Sequence, residues 1–189
     1  MVISEPQAVA PAEYRRVMGH YPTGVSVVTG MRDGTPIGMV VGTFSAVSLD
    51  PPLVSFMPTI ASGTYALLRE ADSFCINVLA ADQMELCRTM AVPRADKFAD
   101  VAWSLSPFGA PRLDGAVAYV DCVVDQEVPA GDHWITLCRV QAMETGRDAS
   151  PLVFCRGAYG EFTAADRADA DLHNAAFHDY LAWYSDFAM

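Results

Sequence analysis

Short runs of β-branched and apolar residues, separated by turn residues, dominate this chain and constrain its fold more than any other feature. Residues 25–29 form the first run, and Asp33-Gly34 is a strong hairpin signal before the next run at 37–41. Similar runs follow at residues 44–49, 53–57, 73–79, 116–128, 133–145, 151–155 and 158–162. Many short strands with few helices indicate a barrel or a sandwich, and periodicity alone does not choose between the two.

A few helices are predicted around these strands. Pro11 suits the first turn of a helix that ends before Pro22, and Ser62 is an N-cap residue for a second helix. Asp82 with Glu85 resembles a capping box that opens a third helix. We therefore expect a mainly β fold with peripheral helices.

The length of 189 residues favours a single domain. We expect a flexible arm over residues 1–11, a β domain over residues 12–162 and a helical extension over residues 163–189. A loop is predicted through Pro107, Gly109 and Pro111. The aromatic extension either packs over apolar surface or closes over a site as a lid.

Composition excludes several classes of protein. With 12 basic and 23 acidic residues and a net charge of -11, the chain is a poor ligand for nucleic acid or anionic lipid. The five cysteines are odd in number, widely spaced and free of any Cys-x-x-Cys motif, which argues against disulfides and a zinc site. No signal peptide and no membrane-spanning run is visible, so we expect a cytoplasmic protein without bound metal.

Eight short segments, taken in order, resemble the flavin reductase family. The first, His-Tyr-Pro-Thr-Gly-Val-Ser-Val-Val-Thr at residues 20–29, matches the junction of the family's first helix and strand. The others are Gly-Met-Val-Val-Gly-Thr-Phe at 38–44, Val-Ser-Leu-Asp-Pro-Pro-Leu-Val at 47–54, Ser-Gly-Thr at 62–64, Phe-Cys-Ile-Asn-Val-Leu at 74–79, Asp-Lys-Phe at 96–98, Gly-Asp-His at 131–133 and Pro-Leu-Val-Phe at 151–154. Each piece alone is weak, but their common order covers about residues 12–162.

The resemblance implies a Greek-key split β-barrel of the FMN-binding type that forms a homodimer. It implies FMN or FAD as a cofactor and NADH or NADPH as the hydride donor, with a monooxygenase as a partner that receives the reduced flavin. The cofactors supply the chemistry in such a site, and the protein aligns the two rings.

By position, the resemblance also implies the site residues. The flavin ring is expected along Val40, Val41, Gly42, Thr43 and Phe44, with Ala46 and Val47 beside it. The phosphate end is expected at Ala61, Ser62, Gly63 and Thr64. His133 is the expected nicotinamide-binding residue, and Asp132 either orients its imidazole or only bonds the turn backbone. Arg156, Gly157 and Tyr159 are expected to close the pocket.

Four departures from the family pattern fall in this pocket. Val40 replaces a Thr, Gly42 replaces an Asn or Ser, Ala46 replaces a Ser, and residues 59–61 lack the usual basic side chain. Each removes a donor or a charge, and one such hydrogen bond is worth on the order of 1 kcal/mol. Backbone amides of residues 42 and 43 are candidates to compensate, as are Arg69, Arg94 and Lys97.

The sequence leaves three functions open. The first is NAD(P)H-dependent flavin reduction, with the departures as family drift. The second is a pocket adapted to an organic, more apolar substrate, with flavin bound differently or lost. The third is a non-catalytic module that binds flavin.

Overall fold

A computed structural model gives the structure of the protein and describes residues 8–92 and 96–163. The described part is mainly β, as predicted. Its helices are α1 (Pro11–Met18), α2 (Gly63–Leu68) and α3 (Met84–Ala91). Its strands are β1 (Thr23–Gly24), β2 (Ser26–Arg32), β3 (Thr35–Val41), β4 (Ser45–Leu49), β5 (Pro52–Phe56), β6 (Phe74–Val78), β7 (Trp103–Leu105), β8 (Pro111–Leu113), β9 (Ala118–Ala130), β10 (His133–Thr145), β11 (Leu152–Cys155) and β12 (Ala158–Glu161).

Seven strands form the main antiparallel sheet, in the order β3-β2-β6-β9-β10-β5-β4. A smaller sheet has the order β1-β11-β12, and β7 pairs with β8 alone. Consecutive in sequence, β3 and β4 occupy the two opposite edges of the main sheet. The connection at residues 42–44 therefore links its two edges.

Two hairpins are placed by local turn chemistry. Asp33 and Gly34 have φ values of 50° and 75°, as a primed turn between β2 and β3 requires. Gly131, with φ 63°, lies in the turn between the 13-residue strands β9 and β10. The first of these turns was predicted from the sequence as a hairpin signal.

The core consists of two groups of buried side chains. One is centred on the rings of Phe56, Tyr65 and Phe74, which meet edge to face at centroid distances of 5.8 and 6.1 Å. The other surrounds Val27 and Leu79 on the opposite face. Each such side chain contributes roughly 1.5–3 kcal/mol through burial, so the two groups hold the sheet and α2 together.

Pro107 and Gly109 lie in a turn, as predicted, but the strands β7 and β8 pair on either side of it, so that Pro111 begins a strand instead of continuing the loop. Buried Asn77 anchors this ladder. Its amide nitrogen donates to the carbonyl of Val27 at 3.1 Å, and its carbonyl oxygen accepts from the Leu113 amide at 2.7 Å. A side chain distant in sequence thus organises β8.

The predicted capping box of the third helix is also wrong in its residues. A short 3-10 turn begins at Ala81, which makes Ala80 the N-cap, and the Gln83 side chain accepts from the Ala80 amide at 3.0 Å. The Asp82 carboxylate is paired with Arg147 instead. The helix at α2 begins as predicted, since Ser62 Oγ accepts from the Tyr65 amide at 3.1 Å. The predicted C-terminal helix and most of the N-terminal arm lie outside the described residues.

Candidate functional site

Hydrogen bonds at Thr43 bring the connection between β3 and β4 against the end of β5. The Thr43 hydroxyl accepts from the Met57 amide at 2.8 Å. Because Met57 leads directly into residues 58–62, this contact places the predicted ring segment beside the chain that runs to the predicted phosphate segment. The Thr43 hydroxyl is thereby committed to the backbone.

The segment after Met57 pairs in turn with the start of β10. Thr59 forms an antiparallel bridge with His133, and the Ile60 amide donates to the Asp132 carbonyl at 2.9 Å. The Trp134 amide donates to the Pro58 carbonyl at 2.9 Å. Three stretches of backbone therefore meet here, at residues 42–44, 57–62 and 132–134.

His133 stands at the outer end of this junction. Its side chain is half-buried, and Nδ1 lies 2.7 Å from the Asp132 carboxylate. This contact holds the pKa of Asp132 below its usual range, through the hydrogen bond first and the histidine charge second. The Asp132 carboxylate thus contacts Nδ1 of the imidazole, and within residues 8–92 and 96–163 no hydrogen bond is made by Nε2.

The predicted phosphate segment begins four residues beyond Met57. The Ser62 hydroxyl caps α2 by accepting from the Tyr65 amide. Ala61 and Gly63 are exposed, and Thr64 is partly buried. With only six residues, α2 has a weaker dipole than a long helix, so hydroxyls and cations near Thr64 matter more than the helix terminus.

The far end of β3 lines a small cavity of about 170 Å³. Val40, Val41 and Gly42 contribute one wall, and Tyr159 and Phe154 contribute another. The structure therefore brings Tyr159 to the predicted ring segment. The Cys87 thiol donates to the Tyr159 hydroxyl at 3.3 Å, and this contact, with burial, raises the pKa of Tyr159.

The packing around position 42 explains why a glycine is found there, which the sequence alone does not show. A Cβ built at this position would lie 3.0 Å from Thr23 Oγ1, closer than such contacts ordinarily are. Its backbone does not adopt the left-handed conformation. The glycine is therefore explained by the neighbouring threonine, whose hydroxyl occupies the space of a larger side chain.

The remaining predicted residues are less closely grouped. Phe44 packs partly buried against the core, whereas Ala46 and Val47 are exposed on the edge strand β4. Arg156 and Gly157 form the turn of the β11–β12 hairpin, where the Arg156 amide donates to the Gly19 carbonyl at 2.8 Å. Among the contacts described, none joins Arg156 to residues 40–47.

Arg69 is not free to serve as the missing cation. Its guanidinium donates to Glu127 at 2.7 Å and lies 5.1 Å from the ring centroid of Trp134. Glu127 also accepts from the buried Tyr65 hydroxyl. This cluster could not be predicted from the sequence. Its residues belong to no local motif, and the contacts among them join α2 to β9 and β10.

Other classes of site gain no support. Within residues 8–92 and 96–163, no group of three His, Cys, Asp or Glu side chains is arranged to hold a metal ion. In the same residues, no helix is long and apolar enough to cross a membrane.

Comparison with protein families gives a match over residues 18–163, to the flavin reductase like domain. A protein from Pseudomonas putida described as a flavin reductase is 42% identical over 158 residues, 83% of this chain and 93% of that protein. The reductase subunit of a flavin-dependent monooxygenase from Rhodococcus jostii is 40% identical over 153 residues, 81% of this chain and 78% of that protein.

Solved structures give the same relationship. An NADH:FAD oxidoreductase from Streptomyces globisporus, in complex with NAD and FAD fragments, superposes with a TM-score of 0.78 at 34% identity and covers 85% of this chain and 100% of its own. Component B of nitrilotriacetate monooxygenase from Mycobacterium thermoresistibile also has a TM-score of 0.78 at 34% identity, over 84% and 93% of the two chains. The predicted split-barrel fold is thereby confirmed.

Proposed function

Since the chain belongs to the flavin reductase family, we propose that the junction of residues 42–44, 57–62 and 132–134 is where it brings a flavin and a nicotinamide cofactor together. The activity is the reduction of FMN or FAD by NADH or NADPH. The observation that carries the assignment of the site is the backbone pairing of residues 58–60 with 132–134, which sets His133 beside the chain leading to Thr64.

The residues at this junction suit a flavin. A flavin ring needs flat apolar surface, and Met57 and Ile60 are both substantially exposed at this junction. Its phosphate end needs donors, which the Thr64 hydroxyl and the backbone amides of residues 61, 63 and 64 provide, while the Ser62 amide already donates to the Thr59 carbonyl at 3.1 Å. When bound, the flavin supplies a ring system that takes a hydride from the nicotinamide and a proton from solvent.

The contribution of the protein is alignment of the two rings. The Asp132 contact fixes the His133 imidazole, and Nε2 is the atom available to hold the nicotinamide cofactor. The exposed apolar side chains at the junction exclude water from the space between the rings. Hydride transfer rewards such alignment more than it rewards a strong acid or base.

A monooxygenase is the proposed partner, because several relatives are reductase components of two-component monooxygenases. A homodimer is proposed as well, supported by the exposed Val47 and Leu49 on the edge strand β4 and by Ile60 beyond β5. The proposed location is the cytoplasm, where free thiols remain reduced.

A pocket adapted to an organic substrate is the second candidate, and the apolar cavity at Val40 and Gly42 is the observation that favours it. At about 170 Å³, this cavity is below the roughly 300–1,000 Å³ of ordinary ligand sites, so it suits only a small apolar group. Such a ligand binding there without flavin binding elsewhere on the protein would support this candidate.

The test is a fluorescence titration with FMN and FAD, followed by NADH and NADPH oxidation in the same samples. We expect flavin quenching with nicotinamide oxidation in the wild type. His133→Asn should raise the KM for the nicotinamide by about 5- to 10-fold, the value of one hydrogen bond, and leave the flavin Kd unchanged.

His20→Asn is the matched control, because His20 is an exposed histidine outside the junction. We expect wild-type kinetics from it. Absence of flavin binding in the wild type would exclude the reductase function. A His133→Asn variant with an unchanged nicotinamide KM would remove His133 from the site.

A further inference from the structure

Tyr159 of β12 lines two cavities. The first is the cavity of about 170 Å³ that has Val40 and Gly42 in its wall. The second, of about 340 Å³, lies on the side of α3 and has Met84 and Leu152 in its wall. Among the described residues that line the two cavities, Tyr159 is the one that they share. The position of its ring therefore sets a boundary of both.

A row of three cross-strand neighbours places this ring beside the first cavity. Tyr159 is paired with Phe154 in the register of β11 and β12, and Phe154 is paired with Thr23 in the register of β1 and β11. Directly paired residues lie on the same face of a sheet, and all three of these side chains line the first cavity. The ring centroids of Phe154 and Tyr159 are 5.2 Å apart. The small sheet thus presents a continuous wall to residues 40–42.

The Tyr159 end of this row is held by α3. The Tyr159 side chain makes one hydrogen bond within residues 8–92 and 96–163, which its hydroxyl accepts from the Cys87 thiol at 3.3 Å. Cys87 is fully buried in the core group that contains Leu79 and Met90. Because β12 pairs only with β11 among the described strands, this bond ties the outer strand of the small sheet to a fixed point in the core.

Packing alone does not fix the Tyr159 ring. A side chain in a close-packed core is held by its neighbours on every side, but the second cavity leaves space on one side of this ring. Without the bond to Cys87, the ring can turn toward that space and away from residues 40–42. A thiol is a weak donor and adds little to overall stability, so the effect of this bond on where the ring lies is larger than its effect on folding.

We propose that Cys87 is a positioning residue for flavin reduction, which holds the Tyr159 ring as the wall that faces residues 40–42. The inference rests on the proposed function and adds to it a residue of α3 that belongs to none of the segments at the junction. Because Cys87 is fully buried, it acts through Tyr159 and not on a ligand directly. A wall that is already in place spares the flavin the cost of ordering that side chain on binding.

The test removes the thiol and the hydroxyl in turn. Cys87→Ala should raise the flavin Kd and KM about three- to fivefold, which corresponds to ordering one side chain on binding. The kcat at saturating flavin and the KM for the nicotinamide should stay within about twofold, because the lost interaction serves flavin binding. Cys87→Ser restores a donor and should return the flavin KM to the wild-type value.

Tyr159→Phe keeps the ring and deletes the acceptor of the bond. It should raise the flavin KM as much as Cys87→Ala does. The double variant should show no further increase, because both substitutions remove the same contact. If Cys87→Ala does not fold, Cys87→Val takes its place, since valine fills the space of the thiol without a donor.

Cys122→Ala is the matched control, because Cys122 is also a fully buried thiol but lies on β9 in the other core group. It should keep the wild-type flavin Kd, with all variants measured well below their Tm. An equal rise of the flavin Kd in Cys87→Ala and Cys122→Ala would assign the effect to general loosening of the core and overturn the proposal.

Two further outcomes separate this inference from the proposed function. A wild type that reduces flavin, together with an unchanged flavin Kd in Cys87→Ala or in Tyr159→Phe, would overturn the role of Cys87 and leave the reductase function intact. A wild type that binds neither FMN nor FAD would overturn both.

Discussion

The cluster of Tyr65, Arg69 and Glu127 gives the sharpest test of how the site is held together. Glu127 accepts from the Tyr65 hydroxyl through one oxygen and from Arg69 at 2.7 Å through the other. The Tyr65 hydroxyl also lies 2.7 Å from Thr136 Oγ1 on β10. Because Tyr65 and Arg69 are carried by α2 and its C-terminal end, the cluster fixes the segment around Thr64 relative to the strand that begins at His133.

Glu127→Gln keeps the shape of the side chain and removes its charge. The amide nitrogen of glutamine cannot accept from Arg69, so one charge-assisted bond is lost, worth roughly 1.5–3 kcal/mol when buried. The exposure of Arg69 reduces this amount, and the weaker bond to Tyr65 adds to it, so we expect about 2 kcal/mol of lost stability. For a chain of this length, that lowers Tm by about 4–8 °C.

Tyr65→Phe tests the same cluster from α2, and Tyr119→Phe is its matched control. Tyr119 donates to the Leu113 carbonyl at 2.9 Å, away from the junction, so each variant loses a tyrosine hydroxyl. Both should lose about 1 kcal/mol of stability. Only Tyr65→Phe and Glu127→Gln should raise KM for both flavin and nicotinamide, measured well below Tm.

The pH dependence of the free energy of unfolding tests how the neutral Tyr65 hydroxyl contributes to stability. Burial first, and then the hydrogen bond to Glu127, raise the pKa of Tyr65 above its ordinary value of 10.0. The stabilisation from its neutral form is therefore complete below about pH 10 and is lost as the pH rises toward the higher pKa of the folded state. Urea unfolding from pH 8 to 11 should show a smaller loss of unfolding free energy at alkaline pH in Tyr65→Phe than in Tyr119→Phe.

Equal KM values in Tyr65→Phe and Tyr119→Phe would refute the role of the cluster in positioning the site.

Three further results are expected from the packing. Gly42→Asn alone should change the FMN Kd by less than about threefold, whereas combining it with Thr23→Ala should tighten binding about fivefold, because the hydroxyl 3.0 Å from the new Cβ is gone. Arg112→Met leaves the fully buried Asp121 carboxylate without its partner at 2.6 Å, so calorimetry should show a loss of about 3–5 kcal/mol. Ellman's reagent should titrate Cys155 in the native protein and react with four more thiols only after denaturation, namely Cys75, Cys87, Cys122 and Cys138.

The sequence was most informative where structure is local. The Asp33-Gly34 turn and the Ser62 cap each depend on residues within one turn, and both are found as predicted. The ladder of β7 and β8 was missed because its strands have three residues each and depend on Asn77, more than thirty positions away. Its prolines and glycine have the composition of a loop; Ser106 closes the turn between the two strands through local hydrogen bonds, and Asn77 bonds β8 from a distance.

In the candidate site as well, local features could be predicted and long-range contacts could not. The identities of its segments followed from a resemblance, but their convergence depends on pairings such as Thr59 with His133, which no local pattern reveals. Arg69, Arg94 and Lys97 were equal candidates for the missing cation on the sequence alone, and Arg94 lies outside the described residues, which leaves Arg69 and Lys97. The structure separates them, because Arg69 is neutralised by Glu127 and Lys97 meets only carbonyls within the described residues.

These contacts change how much the departures from the family pattern should weaken flavin binding. Four lost interactions at about 1 kcal/mol each would cost nearly three powers of ten in affinity. Gly42, however, lies where the Thr23 hydroxyl already stands, and Lys97 is the remaining candidate for the missing cation among the described residues. Two positions without a replacement remain, Val40 and Ala46, which together lower the affinity by about 30-fold. A reductase that passes its flavin to a separate monooxygenase must release that flavin in each cycle, so a loss of this size favours turnover rather than opposing it.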